Sequence, residues 1–190
     1  MARKRIRELD AQASITSTLK LAVDDTSLTS AKRIDISQLD ARYGAVGAPC
    51  YLEWFQVTGE ATSISQQGVF QKFTLSSATA GVTSGNGLVV NSQGRVTYTG
   101  ATAVFRVQAF LSLAGQNNDD VHIAIALNNS VLTKTEQSTV LESGNKDIGI
   151  GTQCLVSVAS AGFLDILVKN VSASSSVTLS KINVIVEKIG

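Results

Sequence analysis

Hydrophobic and polar residues alternate over much of the chain beyond residue 68. Between Ala103 and Leu113 every odd position is apolar, whereas Arg106, Gln108 and Ser112 occupy even positions. The same alternation returns from Val121 to Leu127. A period of two residues is typical of a β-strand that buries one face. The pattern therefore predicts a sheet that packs on one side against a hydrophobic core.

Similar short runs, separated by Gly, Asn and Ser, continue to the end of the chain, with no convincing helix among them. Asn128-Asn129 is suited to a hairpin turn because Asn tolerates positive φ. Strands at this spacing predict an all-β fold, a jelly roll or a related two-sheet sandwich. The predicted strands cover residues 69–75, 87–90, 95–99, 103–113, 121–127, 130–135, 140–141, 148–150, 153–158, 163–170 and 177–189.

The chain divides at about residue 60. Residues 1–59 carry scattered apolar side chains among concentrated charges, and they can bury these only against another surface. We therefore expect residues 1–59 to form an extended docking arm and residues 60–190 to form the sandwich. The apolar run from Tyr51 to Phe55 is expected to join or cover the sandwich.

Composition excludes several classes of function. The 16 basic and 15 acidic residues give a net charge of +1, so the chain as a whole has no electrostatic basis for wrapping nucleic acid or binding an anionic membrane. No apolar run reaches the roughly 18 residues of a membrane span, and the charged N-terminus lacks the apolar middle of a signal peptide. We expect a soluble protein that is not secreted by the usual route.

Residues suited to catalysis or metal binding are few. His122 is the single histidine, so one chain cannot assemble a Ser-His-Asp triad or a multi-histidine metal site. Cys50 and Cys154 are far apart in sequence, and we predict that both are free thiols. The Asn117–Asp120 segment lacks the spacing of a calcium loop and reads as a strand connection. We predict no enzyme activity, no cofactor and no metal.

The basic segment from Arg3 to Arg7 is the strongest local charge feature. Its like charges suit an acidic protein groove or phosphate groups, and a solvated mobile terminus fits equally well. It contains no interleaved aromatic residues of the kind that stack on bases. Docking on a protein therefore ranks above binding of nucleic acid.

The last predicted strand is apolar on both faces in places. Ile182, Val184 and Val186 share one face, and Ile185 and Ile189 share the other. Either one face packs on a neighbouring subunit, or the strand is central and buried on both faces within one chain.

The order of these elements resembles the C1q/TNF-like jelly roll as it occurs in phage virion proteins. The residues that carry the resemblance are the Tyr98-Thr99-Gly100 turn before the 103–113 strand, the strand with the Asn-Asn turn, the 163–170 strand and the closing 177–189 strand. The N-terminal segments around Val23-Asp24-Asp25 and Leu39–Tyr43 look like the attachment segments of phage head and tail appendage proteins.

The resemblance implies a homotrimer and a structural role in a virion. The chain lacks the long shaft of a tail fibre. The leading hypothesis is therefore a capsid decoration (cement) protein on the outer surface, or a short head fibre. Its expected partner is the major capsid protein. Its expected capsid-binding residues are Arg3, Lys4, Arg5, Arg7, Leu21, Val23, Ile34, Ile36, Leu39 and Tyr43. The expected trimer-interface residues are His122, Ile182, Val184 and Val186.

Three alternatives stay open. A receptor-binding tail appendage that recognises a host glycan would use loops at the exposed end of the sandwich, although the aromatic content of 5% offers few stacking residues. A small depolymerase would need a pair of carboxylates that the sequence does not reveal. A nonviral C1q-like binding module is disfavoured by the absence of a signal peptide.

Overall fold

A computed structural model describes residues 20–23, 32–35, 50–84, 87–142 and 147–189. The chain divides into two compact units, residues 1–47 and residues 48–190. In the first unit, strand β1 (Lys20–Val23) pairs antiparallel with strand β2 (Lys32–Asp35), and Leu21 lies directly opposite Ile34. Among the described residues, regular structure other than β-strand is limited to a 3₁₀ turn at Thr133–Thr135.

The second unit consists of two antiparallel sheets. Its strands are β3 (Tyr51–Gln56), β4 (Glu60–Thr62), β5 (Gln71–Lys72), β6 (Thr79–Ser84), β7 (Leu88–Val90), β8 (Val96–Tyr98), β9 (Ala103–Ala114), β10 (Asp120–Leu127), β11 (Ser130–Val131), β12 (Gln137–Val140), β13 (Ile148–Val158), β14 (Phe163–Asn170) and β15 (Val177–Lys188). Sheet I has the order β13-β9-β15-β3-β6, and β4 also pairs with β15. Sheet II has the order β11-β10-β14-β8-β7, and β12 and β5 pair with β10 and β14.

The core is formed by the alternate side chains that the sequence pattern identified. Phe105, Val107 and Leu113 on β9 are completely buried, as are Val121 and Ile123 on β10. All of them belong to one hydrophobic cluster. Burial of a side chain of this size contributes about 1.5–3 kcal/mol to folding. The prediction of one buried face is confirmed for β9, whereas in β10 Ala124 and Ala126 on the opposite face are completely buried as well.

Glycine is required at one position beneath this core. Gly94 has a φ of +74°, and a Cβ there would lie 2.6 Å from Cη2 of Trp54. Trp54 on β3 is itself 1% exposed. A larger residue at position 94 would be strained in its backbone and would also displace the largest side chain of the core.

The boundary predicted at residue 59 lies too far along the chain. Strand β3 is an internal strand of sheet I, where Val184 faces Trp54 and Phe55 faces Thr79. The division between the units falls after Gly47 instead. The apolar run from Tyr51 to Phe55 thus joins the sandwich, because two buried side chains in alternation require a partner sheet.

Several strand predictions change in detail. Residues 148–158 form one strand, because Gly151 and Thr152 continue the pairing with β9. The strand predicted at 130–135 ends at Val131, and the Thr135 hydroxyl then accepts a hydrogen bond of 2.8 Å from the Ile125 backbone N–H. Asn128 and Asn129 adopt the predicted positive φ, 51° and 66°.

Candidate subunit interface

The outward face of sheet I combines exposed apolar side chains with aligned cross-strand rows. Phe110 on β9 is 55% exposed, Leu155 on β13 is 52% exposed, and Phe55 on β3 is 36% exposed. One row across the sheet runs from Gly151 through Phe110 and Asn183 to Phe55. Large apolar side chains grouped on one face typically mark a site of contact with another protein.

Two pairs of polar side chains on this face are hydrogen-bonded to each other. Asn183 Nδ2 donates to Glu53 Oε1 at 2.6 Å, and Gln108 Nε2 donates to Gln153 Oε1 at 3.2 Å. Burying a charge without a partner costs several kcal/mol, so pairing of this kind makes it easier to cover the face with another protein.

A further pair crosses from β9 to β15. Arg106 Nη1 lies 3.4 Å from Glu187 Oε2, and both side chains are about half exposed. Three open depressions also lie on this face: one beside Phe110 and Gly151, one beside Arg106 and Cys154, and one between Phe55 and Phe110.

The outward face of sheet II is arranged differently. Asp165 on β14 is 3% exposed, and it pairs with Lys72 Nζ at 3.0 Å and with Arg95 Nη2 at 2.7 Å. Arg95 also lies over the Phe163 ring, 3.8 Å from its centroid. The hydrogen bond to Asp165 raises the pKa of Arg95. The buried carboxylate therefore links Lys72 of β5 and Arg95, which directly precedes β8, to β14.

A second charge cluster surrounds the single histidine. His122 Nδ1 lies 2.6 Å from Glu136 Oε1, His122 Nε2 lies 3.2 Å from Asp120 Oδ1, and Lys169 Nζ lies 2.7 Å from Glu136 Oε1. The hydrogen bonds from Lys169 and His122 lower the pKa of Glu136. Lys169 also lies 4.4 Å from the centre of the Phe70 ring.

The four residues predicted for the trimer interface lie on both sheets, His122 on β10 and the other three on β15. His122 is paired with carboxylates on sheet II, and Ile182, Val184 and Val186 on β15 are at most 2% exposed within a single chain. Their side chains face sheet II, because β15 is a central strand and these positions are its inward half. Of the side chains on β15, only the outward ones are therefore open to a neighbouring subunit, and the role of His122 stays a prediction.

Sequence reasoning missed Phe55 and Phe110. A signal was present in Phe110, an aromatic residue on the same face of the strand as Arg106, Gln108 and Ser112. An apolar residue on the polar side of a half-buried strand indicates a second contact surface.

Seven of the ten predicted arm residues fall outside the described part of the chain. Leu21, Val23 and Ile34 lie in the β1–β2 hairpin. Outside the described residues are Arg3, Lys4, Arg5, Arg7, Ile36, Leu39 and Tyr43.

The described residues offer little for catalysis. Cys50 is buried and Cys154 is half-buried, and burial raises the pKa of both thiols, which makes them weaker nucleophiles at neutral pH. Within the described ranges, no group of three or more His, Cys, Asp or Glu side chains could hold a metal ion. No helix in this part of the chain is long and apolar enough to cross a membrane.

Two packed antiparallel sheets with this strand order form a C1q/TNF-like jelly roll, as predicted. Among solved structures the chain is similar to PRD1 vertex protein P5, with a TM-score of 0.52 and 17% identity over 76% of this chain and 99% of that one. It is similar to Eiger TNF from S. frugiperda, with a TM-score of 0.51 and 11% identity over 75% of this chain and 93% of that one. It is also similar to murine APRIL at pH 5.0, with a TM-score of 0.52 and 11% identity over 74% and 99%.

No model of a known protein family matches the chain, and no curated protein matches it in sequence. The likeness to these three structures establishes the fold, and one fold can carry unrelated functions. The function must therefore be argued from the surfaces of the molecule.

Proposed function

We propose that this chain is a structural virion protein, a homotrimeric decoration (cement) protein on the outer surface of a phage capsid. The observation that carries the proposal is the outward face of sheet I, where Phe110 and Phe55 are exposed beside paired polar groups. A face of this composition suits a permanent subunit contact. The similarity in fold to PRD1 vertex protein P5 adds support for the location.

Self-association through sheet I leaves the β1–β2 hairpin and the rest of residues 1–47 for a second partner. Three arms on one hub would engage neighbouring capsid subunits at high effective concentration, so that individually weak contacts add up to tight attachment, by a factor of about 10²–10⁴. The arm would thereby clamp major capsid subunits together. This function needs neither catalysis nor a cofactor.

Two experiments test the parts of the proposal separately. Light scattering on the purified chain should give three times the monomer mass. A monomeric mass would contradict the proposed homotrimer. Deletion of residues 1–47 should leave that mass ratio unchanged but abolish binding to undecorated capsids. If the chain without residues 1–47 bound undecorated capsids as well as the full chain does, the proposal that the arm clamps capsid subunits would be wrong.

The place of the protein in a particle is tested by its copy number. Quantitative mass spectrometry of purified particles should give a simple ratio to the major capsid protein, with hundreds of copies. A few copies per particle would favour the tail appendage, and absence from particles would contradict any role in the virion.

A further inference from the structure

Strand β13 forms one edge of sheet I and is the longest edge strand among the described residues. It spans 11 residues, whereas β6 at the other edge of the sheet has 6 and the edge strands of sheet II have 4 or fewer. Its sequence contains no charged residue and no proline. Short length, charge and proline are the features that normally keep an exposed edge from pairing with another chain. The residues of β13 thus provide none of these protections.

Two hydrogen bonds show which backbone groups of β13 point to the open edge. Lys134 Nζ donates to the carbonyl oxygen of Leu155 at 2.9 Å, and Leu155 lies opposite Arg106 on β9. Two residues before Arg106, the Val104 carbonyl accepts a bond of 2.9 Å from the Ile189 N–H on the side of β15. Every second residue of an antiparallel strand points its N–H and C=O to the same side. The residues that point to the open edge are therefore Gly149, Gly151, Gln153, Leu155 and Ser157.

This edge is able to pair with the same edge of a second copy. Two identical strands that pair antiparallel are related by a two-fold axis, so one patch is its own partner. With Gly151 of both copies opposite each other, Gly149 of each lies opposite Gln153 of the other, and about six backbone hydrogen bonds form. Close approach of another backbone is a common reason for glycine within a strand.

The same register brings opposite charges together at each end of the contact. Leu155 of one copy then lies opposite Asp147 of the other, and Lys134 is already held at the Leu155 carbonyl. Asp147 directly precedes β13 and is exposed, and its carboxylate accepts a hydrogen bond from the Ser180 hydroxyl. A register shifted by two residues would move these charges about 7 Å along the strand. Charge complementarity therefore favours the register centred on Gly151.

We propose that the β13 edges of two copies of this chain pair antiparallel, with Gly151 opposite Gly151 and Lys134 of each copy beside Asp147 of the other. The contact uses the edge of sheet I and leaves its outward face for the proposed trimer, so it is independent of that self-association. About six hydrogen bonds and two exposed ion pairs make a contact smaller than a stable dimer interface. It therefore forms where copies are held side by side, as the proposed trimers would be on a capsid.

Cysteine cross-linking tests the contact directly. In Gly151→Cys the two new thiols lie at the two-fold axis, with Cα atoms about 5.5 Å apart, which is within the range of a disulfide. Mild oxidation at high protein concentration should give covalent dimers on a denaturing gel. Ser157→Cys, on the same face of β13, should give none, because its two copies lie about 40 Å apart. The unmodified chain shows any contribution of Cys50 and Cys154.

A second variant covers the case that Gly151→Cys does not fold, since a Cβ there would lie 3.1 Å from Cδ1 of Phe110. Gly149→Cys combined with Gln153→Cys joins the same two strands, and a Cβ at position 149 meets nothing within 4 Å. Absence of covalent dimers from the folded variants would overturn the proposal. Covalent dimers from a chain that light scattering shows to be monomeric at low concentration would support the edge contact and contradict only the proposed trimer.

Charge reversal tests the register. In the Gly151→Cys chain, Lys134→Glu should slow the cross-linking roughly tenfold, and Asp147→Lys should do the same, because each like-charge contact occurs twice across the two-fold axis. The two reversals together should restore the rate. Single reversals without effect, or a combined variant that stays slow, would overturn the register.

Discussion

The outward faces of the two sheets differ in the partners of their polar side chains and in the exposure of their aromatic side chains. On sheet II the buried Asp165 carboxylate is held by Lys72 and Arg95, and Glu136 is held by Lys169 and His122. On sheet I, Asn183 pairs with Glu53 and Gln108 pairs with Gln153, and Phe110 stays half exposed. Paired charges in contact with water give no drive for association, whereas burial of exposed aromatic rings against another protein lowers the free energy.

The largest expected effect is on the association of subunits. Phe110→Asp should convert the proposed trimer to a monomer at micromolar concentration, because an unpaired carboxylate buried in each proposed interface costs about 3 kcal/mol or more. Val140→Asp on sheet II, where Val140 has the same 55% exposure as Phe110, should leave the trimer intact. Light scattering over a dilution series measures both. Equal behaviour of the two variants would remove the distinction between the faces.

The next largest effect is expected on the stability of the subunit. Asp165→Ala leaves Lys72 and Arg95 without their shared carboxylate, and it should lower the free energy of unfolding by about 2–3 kcal/mol. The loss falls below that for fully buried pairs because both cations reach water. Urea unfolding measures it, and the variant should remain trimeric. Dissociation of the trimer by Asp165→Ala would show that sheet II takes part in the interface.

A smaller, pH-dependent effect is expected at Glu136. Its pKa is lowered from the ordinary 4.5 in the folded chain, so the carboxylate favours folding above the unfolded pKa and loses this effect as the pH falls through the folded pKa. Glu136→Gln should cost about 1 kcal/mol at pH 7. The difference from the wild type should shrink below pH 4.5. Unfolding curves from pH 7 to pH 3 measure this, and a constant difference would contradict it.

The smallest effect is expected at the exposed ion pair of sheet I. In the monomeric Phe110→Asp background, Glu187→Gln should change the free energy of unfolding by less than about 0.5 kcal/mol, because the pair with Arg106 is half exposed. Thermal unfolding of the two monomers measures this. A loss above about 1 kcal/mol would mean that the pair stabilises sheet I by itself.

Much of the sandwich could be predicted from local pattern. The alternation in β9 and β10 predicted both the strands and their buried side chains, and Asn128-Asn129 predicted the turn that follows β10. Strand β6 gave no such signal, because its small and polar residues are exposed along its length and the strand exists through its pairing with β3. Pairing over long sequence distances leaves little trace in a single strand.

For the candidate interface, too, the sequence predicted the strand and the tertiary structure decided which of its faces is buried. From its own residues, β15 could be identified as a strand with two apolar faces, Ile182, Val184 and Val186 on one side and Ile185 on the other. Only the tertiary structure decided that the first three face sheet II, because the register of β15 between β9 and β3 determines which face turns inward. Alternation along a strand specifies that neighbouring side chains point in opposite directions, and packing of the second sheet determines which of them is inside.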